Sequence, residues 1–160
     1  MPYRLDTRSW YPAPVPEVFA FFADPRNLEA ITPPFLRFRI LTPEVEMRKG
    51  ARFDYRLRLR GVPFRWQSEI TVWEPHVRFC DEQRRGPYRY WRHAHHFRED
   101  RGGTLVEDGV DYDVPGGHHV HQWLVAGDLV QIFRYRQTQL ERRFGQDPKD
   151  GARVAILKKL

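Results

Sequence analysis

The sequence predicts an α+β domain: a curved antiparallel sheet of about seven strands wrapped around a long C-terminal helix, with two short helices after the first strand. Three observations carry this. Between Leu36 and Val114 apolar and polar residues alternate with a period of two, in runs separated by Gly and Pro, as in a meander of half-buried strands. From Val120 to Phe144 the period lengthens to that of an amphipathic helix. The apolar face of such a sheet must be buried, and this helix is the one large partner the chain supplies.

Taken in order, Tyr3 to Trp10 reads as a first strand, ended by Tyr11-Pro12-Ala13-Pro14. Pro16 suits the first turn of a helix, where a missing N–H costs little, and Val18, Phe21 and Phe22 follow at helical spacing. Asp24-Pro25 starts a second short helix through Asn27, Leu28 and Ile31, which Thr32-Pro33-Pro34 stops. Leu36 to Ile40 alternates. In the next strand Phe53, Tyr55, Leu57 and Leu59 share one face, and Arg52, Asp54, Arg56, Arg58 and Arg60 the other. Gly61-Val62-Pro63 turns the chain into Phe64 to Trp73. Glu74-Pro75 leads to Val77 to Arg84, Gly86-Pro87 to Tyr88 to Phe97, and Asp100 to Gly103 to the strand Thr104 to Val114. Pro115-Gly116-Gly117 closes the sheet. In the final helix Val120, Trp123, Leu124, Gly127, Val130, Phe133, Leu140 and Phe144 form the expected apolar stripe, with Arg142 and Arg143 in the last turn and Gly145 as cap. Residues 1–145 are therefore expected to form the domain, and the polar stretch 146–160 a flexible tail.

Composition narrows the possible roles. Hydrophobic residues make up 41% of the 160, and aromatics 14%, a high share that suits a ring-rich core or a ligand cavity. The net charge is +6, mostly arginine. Arg52, Arg56, Arg58, Arg60 and Arg65 lie on outward strand positions while the rings alternate inward, so no stacking surface for nucleic acid is expected. Trp73 is the ring expected to be exposed. One cysteine, Cys80, excludes an internal disulfide. With neither an apolar leader nor a membrane-length apolar run, a cytoplasmic protein without integral membrane association is expected. Nothing in the chain specifies an oligomeric state.

Strand parity assigns side chains to faces. Trp91, His93, His95 and Phe97 point one way, and the flanking rings mark that side as the interior. Phe79, Asp81 and Gln83 join them from the preceding strand, Val106, Asp108, Val110 and Tyr112 from the following one, and Trp66, Ser68, Ile70 and Val72 from further along the sheet. Buried carboxylates need partners, so Asp81 and Asp108 are expected to pair with the imidazoles. The expected ligand-binding set is Phe53, Tyr55, Leu57, Trp66, Ser68, Ile70, Phe79, Asp81, Gln83, Trp91, His93, His95, Phe97, Asp108, Val110 and Tyr112, with Trp123, Leu124, Gly127 and Val130 from the helix. His93-x-His95 with Asp81 or Asp108 also offers ligand types suited to zinc, but without fixed partner spacing no metal and no cofactor are assigned. His118-His119-x-His121 is expected to be a solvated helix start, and no nucleophile motif surrounds Cys80.

The element order over residues 3–145 resembles the START-like, or SRPBCC, superfamily of helix-grip proteins. So do Pro16-Glu17-Val18-Phe19-Ala20-Phe21-Phe22, Thr32-Pro33-Pro34-Phe35, Trp73-Glu74-Pro75, Phe79-x-Asp81-Glu82-Gln83-x-x-Gly86-Pro87-Tyr88 and Trp91-x-His93-x-His95-x-Phe97. The superfamily includes birch-pollen-allergen-like proteins, steroid and lipid carriers, and polyketide cyclases and aromatases, and the motifs look like those of its bacterial ligand-binding group. The resemblance implies carriage of a small hydrophobic ligand (a lipid, polyketide or aromatic metabolite) in a cavity between sheet and helix. It equally admits a polyketide cyclase or dehydratase using His93, His95, Asp81 and Asp108 as acid and base.

Overall fold

The structure, a computed structural model, describes residues 3–149 and 153–158. Its eight strands are β1 (Tyr3–Tyr11), β2 (Arg39–Ile40), β3 (Arg52–Leu59), β4 (Val62–Glu74), β5 (Arg78–Arg85), β6 (Tyr90–Asp100), β7 (Gly103–Asp113) and β8 (Arg153–Lys158). They form one antiparallel sheet in the order β2-β3-β4-β5-β6-β7-β1-β8. The sheet curves around a long helix built from α2 (Gly117–Val120), a wide π turn (His121–Val125) and α3 (Ala126–Phe144). Helix α1 (Val15–Phe22) and two short 3₁₀ turns, Pro25–Leu28 and Pro34–Leu36, lie between β1 and β2. This is a helix-grip fold. No helix among the described residues is long and apolar enough to cross a membrane.

Local chemistry explains the corners. Pro16 occupies the first turn of α1, and Val18, Phe19, Phe21 and Phe22 are its buried face. The Asp24 side chain accepts from the Arg26 amide at 3.0 Å and caps the next turn. The β3–β4 and β6–β7 hairpins turn on Arg60-Gly61 and Arg101-Gly102, all four with positive φ. Two successive left-handed residues match the twist of the flanking strands, and glycine adopts the second at no steric cost. The β3–β4 turn is thus one residue earlier than expected, and Val62 and Pro63 belong to β4.

Three expectations are corrected. Residues 146–160 are not all loose: Arg153–Lys158 pairs with β1, from Tyr3↔Lys158 to Arg8↔Arg153, and Gln137 donates to the Arg153 carbonyl at 3.1 Å. The apolar run Val154 to Leu157 at its centre was the signal for this strand, set between polar neighbours. Trp73 is half-buried against Phe19 and Phe79, because a register shift between Ile70 and Val72 reverses the parity of the end of β4. The helical stripe that packs inward is Leu129, Phe133, Gln137 and Leu140. Trp123 is 77% and Leu124 45% exposed where the helix widens into the π turn, Gly127 is exposed and Val130 only half-buried, whereas Phe133 and Leu140, further along the same expected stripe, are buried.

Candidate functional site

Between the sheet, α3 and the segment from α1 to β3 lies a cavity of about 150 Å³. Its lining joins the two halves of the core: one gathered around Phe19, Phe22, Phe79 and Phe97, the other around Trp66, Trp91, Tyr112 and Phe133. Of the residues expected on the inner face, Phe53, Tyr55, Leu57, Trp66, Ser68, Ile70, Phe79, Asp81, Trp91, His93 and His95 line it. Tyr55 stacks on Trp66 with ring centroids 5.6 Å apart, and Trp91 meets Trp66 edge-on at 5.3 Å. The indole N–H of Trp66 is satisfied by Ser68 Oγ at 3.1 Å, so this wall presents carbon to the cavity.

The other expected residues lie elsewhere. Gln83 is turned to the backbone of Tyr88, donating to its carbonyl at 2.7 Å and accepting from its amide at 3.2 Å. Phe97 packs against Phe19, Phe22 and Phe79. Val110 and Tyr112 are fully buried in the core, and Asp108 stands behind the histidines rather than on the cavity. Trp123, Leu124, Gly127 and Val130 do not line it. The helix lines it instead with Leu129, Ile132, Phe133 and Arg136. Sequence reasoning also missed Phe22, Leu28, Leu36, Phe38, Met47, Leu59 and Tyr88. Leu59 carried a signal, since it shares parity with Leu57; Met47 sits in an irregular segment that shows none.

One wall is polar. His95 Nδ1 lies 2.8 Å from Asp108 Oδ1, but neither atom has an aligned hydrogen bond, so the contact is ionic and poorly directed. On its other side His95 Nε2 is 3.4 Å from Asp81 Oδ2. Asp108 Oδ2 accepts from Thr7 Oγ1 at 3.1 Å. The His93 ring lies over that of His95 with centroids 3.8 Å apart, its Nε2 3.7 Å from Asp108 Oδ1 and without a hydrogen-bond partner. The Arg136 guanidinium lies over the Phe22 ring at 5.2 Å, and its Nε is likewise unpartnered.

These surroundings separate the two imidazoles. Burial lowers the pKa of His93, and the neighbouring His95 lowers it further. Burial also pulls His95 down, but Asp108 and Asp81 outweigh it and hold the pKa above its ordinary value. Burial pushes Asp108 up, and the two histidines more than reverse this, holding it well below the usual carboxylate range. These shifts favour the charged forms of His95 and Asp108 and the neutral form of His93. Asp81, His93 and His95 each present one ligand-type atom, all within 4.8 Å of one another. Such a wall can anchor a ligand oxygen, move a proton or hold a metal ion.

The second histidine group is not the solvated helix start expected from sequence. His118 and His119 are exposed, but His121 is buried, stacked on Tyr3 at 3.4 Å and bonded to the Tyr112 hydroxyl at 2.7 Å. The outward arginines are exposed and partly paired, Arg52 with Glu69, Arg65 with Asp54 and Arg60 with Asp128.

The family model described as polyketide cyclase / dehydrase and lipid transport matches residues 11–141. No curated protein matches the chain. Among solved structures, a Chromobacterium violaceum protein is similar with a TM-score of 0.71 and 14% identity, over 90% of this chain and 98% of that one. A ginseng (Panax ginseng) major latex-like protein gives 0.68 and 12%, over 90% and 98%. A START superfamily protein of Mycobacterium smegmatis gives 0.63 and 13%, over 89% and 97%. At these identities the likeness is one of fold.

Proposed function

Because the chain belongs to the polyketide cyclase / dehydrase and lipid transport family, we propose that it binds a small, mostly apolar molecule of single-ring size in the cavity between sheet and helix. The observation that carries this is the cavity itself: about 150 Å³, walled by aromatic and aliphatic side chains, with the unpartnered His93 at its polar edge. An apolar void of this size is large enough for benzene, whereas drug-sized ligands occupy roughly 300–1,000 Å³. An aromatic metabolite or a short polyketide fragment bearing one oxygen suits it better than an extended lipid. The oxygen would sit against His93, where a buried polar atom gains a partner it otherwise lacks.

The test is a titration with phenol and toluene, followed by the fluorescence of the cavity tryptophans Trp66 and Trp91, beside native mass spectrometry of gently purified protein. Saturable binding is expected, with phenol tighter than toluene and that preference lost in His93→Phe. No saturable binding of either compound, together with a bare native mass spectrum, overturns the reading.

The position of His93, His95 and Asp81 on one cavity wall supports a second reading, a cyclase or dehydratase acting on a bound polyketone. Its test is conversion of a linear poly-β-ketone thioester. Turnover abolished by His93→Gln supports it, and turnover absent from the wild type removes it.

A further inference from the structure

We infer that Asp81, His93 and His95 form a binding site for a first-row divalent transition ion of the Zn²⁺ type, with Asp108 orienting His95 from behind. The site shares a wall with the proposed ligand cavity, but its occupancy by an ion does not depend on an organic ligand.

The geometry supplies three donors from two paired strands. Asp81 lies opposite His93 in the β5–β6 register, and His95 follows two residues on, so all three project from one face of the sheet. His95 Nε2 and Asp81 Oδ2 are 3.4 Å apart, close to the spacing of about 3.4 Å that two donors adopt around an ion with bonds of ~2.0–2.1 Å. The donor atoms of the group all lie within 4.8 Å of one another. His93 Nε2 has no hydrogen-bond partner, although its side chain is only 6% exposed. A buried imidazole nitrogen without a partner is uncommon, and an ion would satisfy it.

The donor set fits one class of ion. Two imidazoles and a carboxylate suit Zn²⁺, Fe²⁺ or Co²⁺, whereas Mg²⁺ and Ca²⁺ demand oxygen cages. With both imidazoles neutral, as metal ligands must be, Asp81 and Asp108 bring two negative charges against the two positive charges of the ion. Asp108, 2.8 Å from His95 Nδ1, occupies the place of the carboxylate that commonly fixes a metal-bound histidine. Three protein donors would leave a tetrahedral ion one position for a further ligand, and all three donor residues line the cavity. The other histidine cluster offers less, since His121 Nε2 is engaged by Tyr112 and His118 Nδ1 by Tyr3.

Protein freed of metal with a chelator would be titrated with Co²⁺, reading its visible d–d absorption, and then with Zn²⁺ in competition. The expected result is one ion per chain with the intense bands of four- or five-coordinate Co²⁺, displaced by Zn²⁺. Asp81→Asn and His93→Gln are each expected to weaken binding at least tenfold, and Asp108→Asn by about 10–100-fold. The double variant His118→Asn/His119→Asn is expected to bind as the wild type does. Circular dichroism and melting establish that each variant is folded. If a cavity variant is not, the wild-type Co²⁺ spectrum decides alone. Absent or weak octahedral bands in the wild type overturn the site, as does affinity unchanged in folded Asp81→Asn and His93→Gln, or lost in the His118/His119 variant.

Discussion

At the scale of single residues, Asp108 is a carboxylate at 7% exposure whose oxygens face His95 and Thr7, so its charge is balanced by one partner and hydrogen-bonded by another. Asp108→Ala leaves a buried imidazole and hydroxyl without that partner, and a loss of about 3–5 kcal/mol in urea unfolding is expected. A loss below about 1 kcal/mol would mean the pair is solvated. His121 contributes one part of the pH dependence. Burial first, and His118 second, lower its pKa below the ordinary 6.5. The unfolded chain therefore takes up this proton before the folded one does. The contribution of His121 is full above pH of about 6.5 and is lost as pH falls through that value towards the lower folded pKa. Between about pH 7 and pH 5 the melting temperature should fall more steeply in the wild type than in His121→Phe, and parallel curves would refute this. Parity alone made His93, His95 and Asp81 legible from sequence. His121 was not, because its partners Tyr3 and Tyr112 lie on strands that only the tertiary fold brings to the helix start.

At the scale of elements, the alternation in β3, β6 and β7 was written plainly enough to read. The errors fell where an element departs from its own period. The register shift in β4 turned Trp73 inward, and Trp123 and Leu124, which lie in the π turn, face outward. Neither leaves a mark in hydrophobic pattern, because Trp123 and Leu124 are as apolar as Leu129 and Phe133, which do face the cavity. Paired substitutions expose this difference. Trp123→Ser should change stability by no more than about 0.5 kcal/mol, being a surface change at 77% exposure. Phe133→Ala, at 4% exposure on the cavity wall, should cost about 3–5 kcal/mol and enlarge the space for ligands. Chemical denaturation of both decides it; similar losses would mean the helix is rotated from the position described.

At the scale of the whole molecule, β8 covers the edge that β1 would otherwise expose, and the exposed Arg101 reaches across to Asp147 at 2.7 Å. Shortening the chain after Gly145 removes both and bares a strand able to pair with another copy. A lower melting temperature and concentration-dependent association in light scattering are expected. A truncated chain as stable and monodisperse as the full one would show that β8 contributes nothing. The same sheet order has a consequence for synthesis. Tyr3 pairs with Tyr112 on one side and Lys158 on the other, so β1, the earliest strand to leave the ribosome, is the one that must wait longest for its neighbours. The hairpins β3–β4 and β6–β7 join adjacent stretches and close over short loops, while β1 closes over nearly the whole chain and carries the larger entropic cost. The walls contributed by these hairpins can thus assemble on a nascent chain whose first strand is still unpaired.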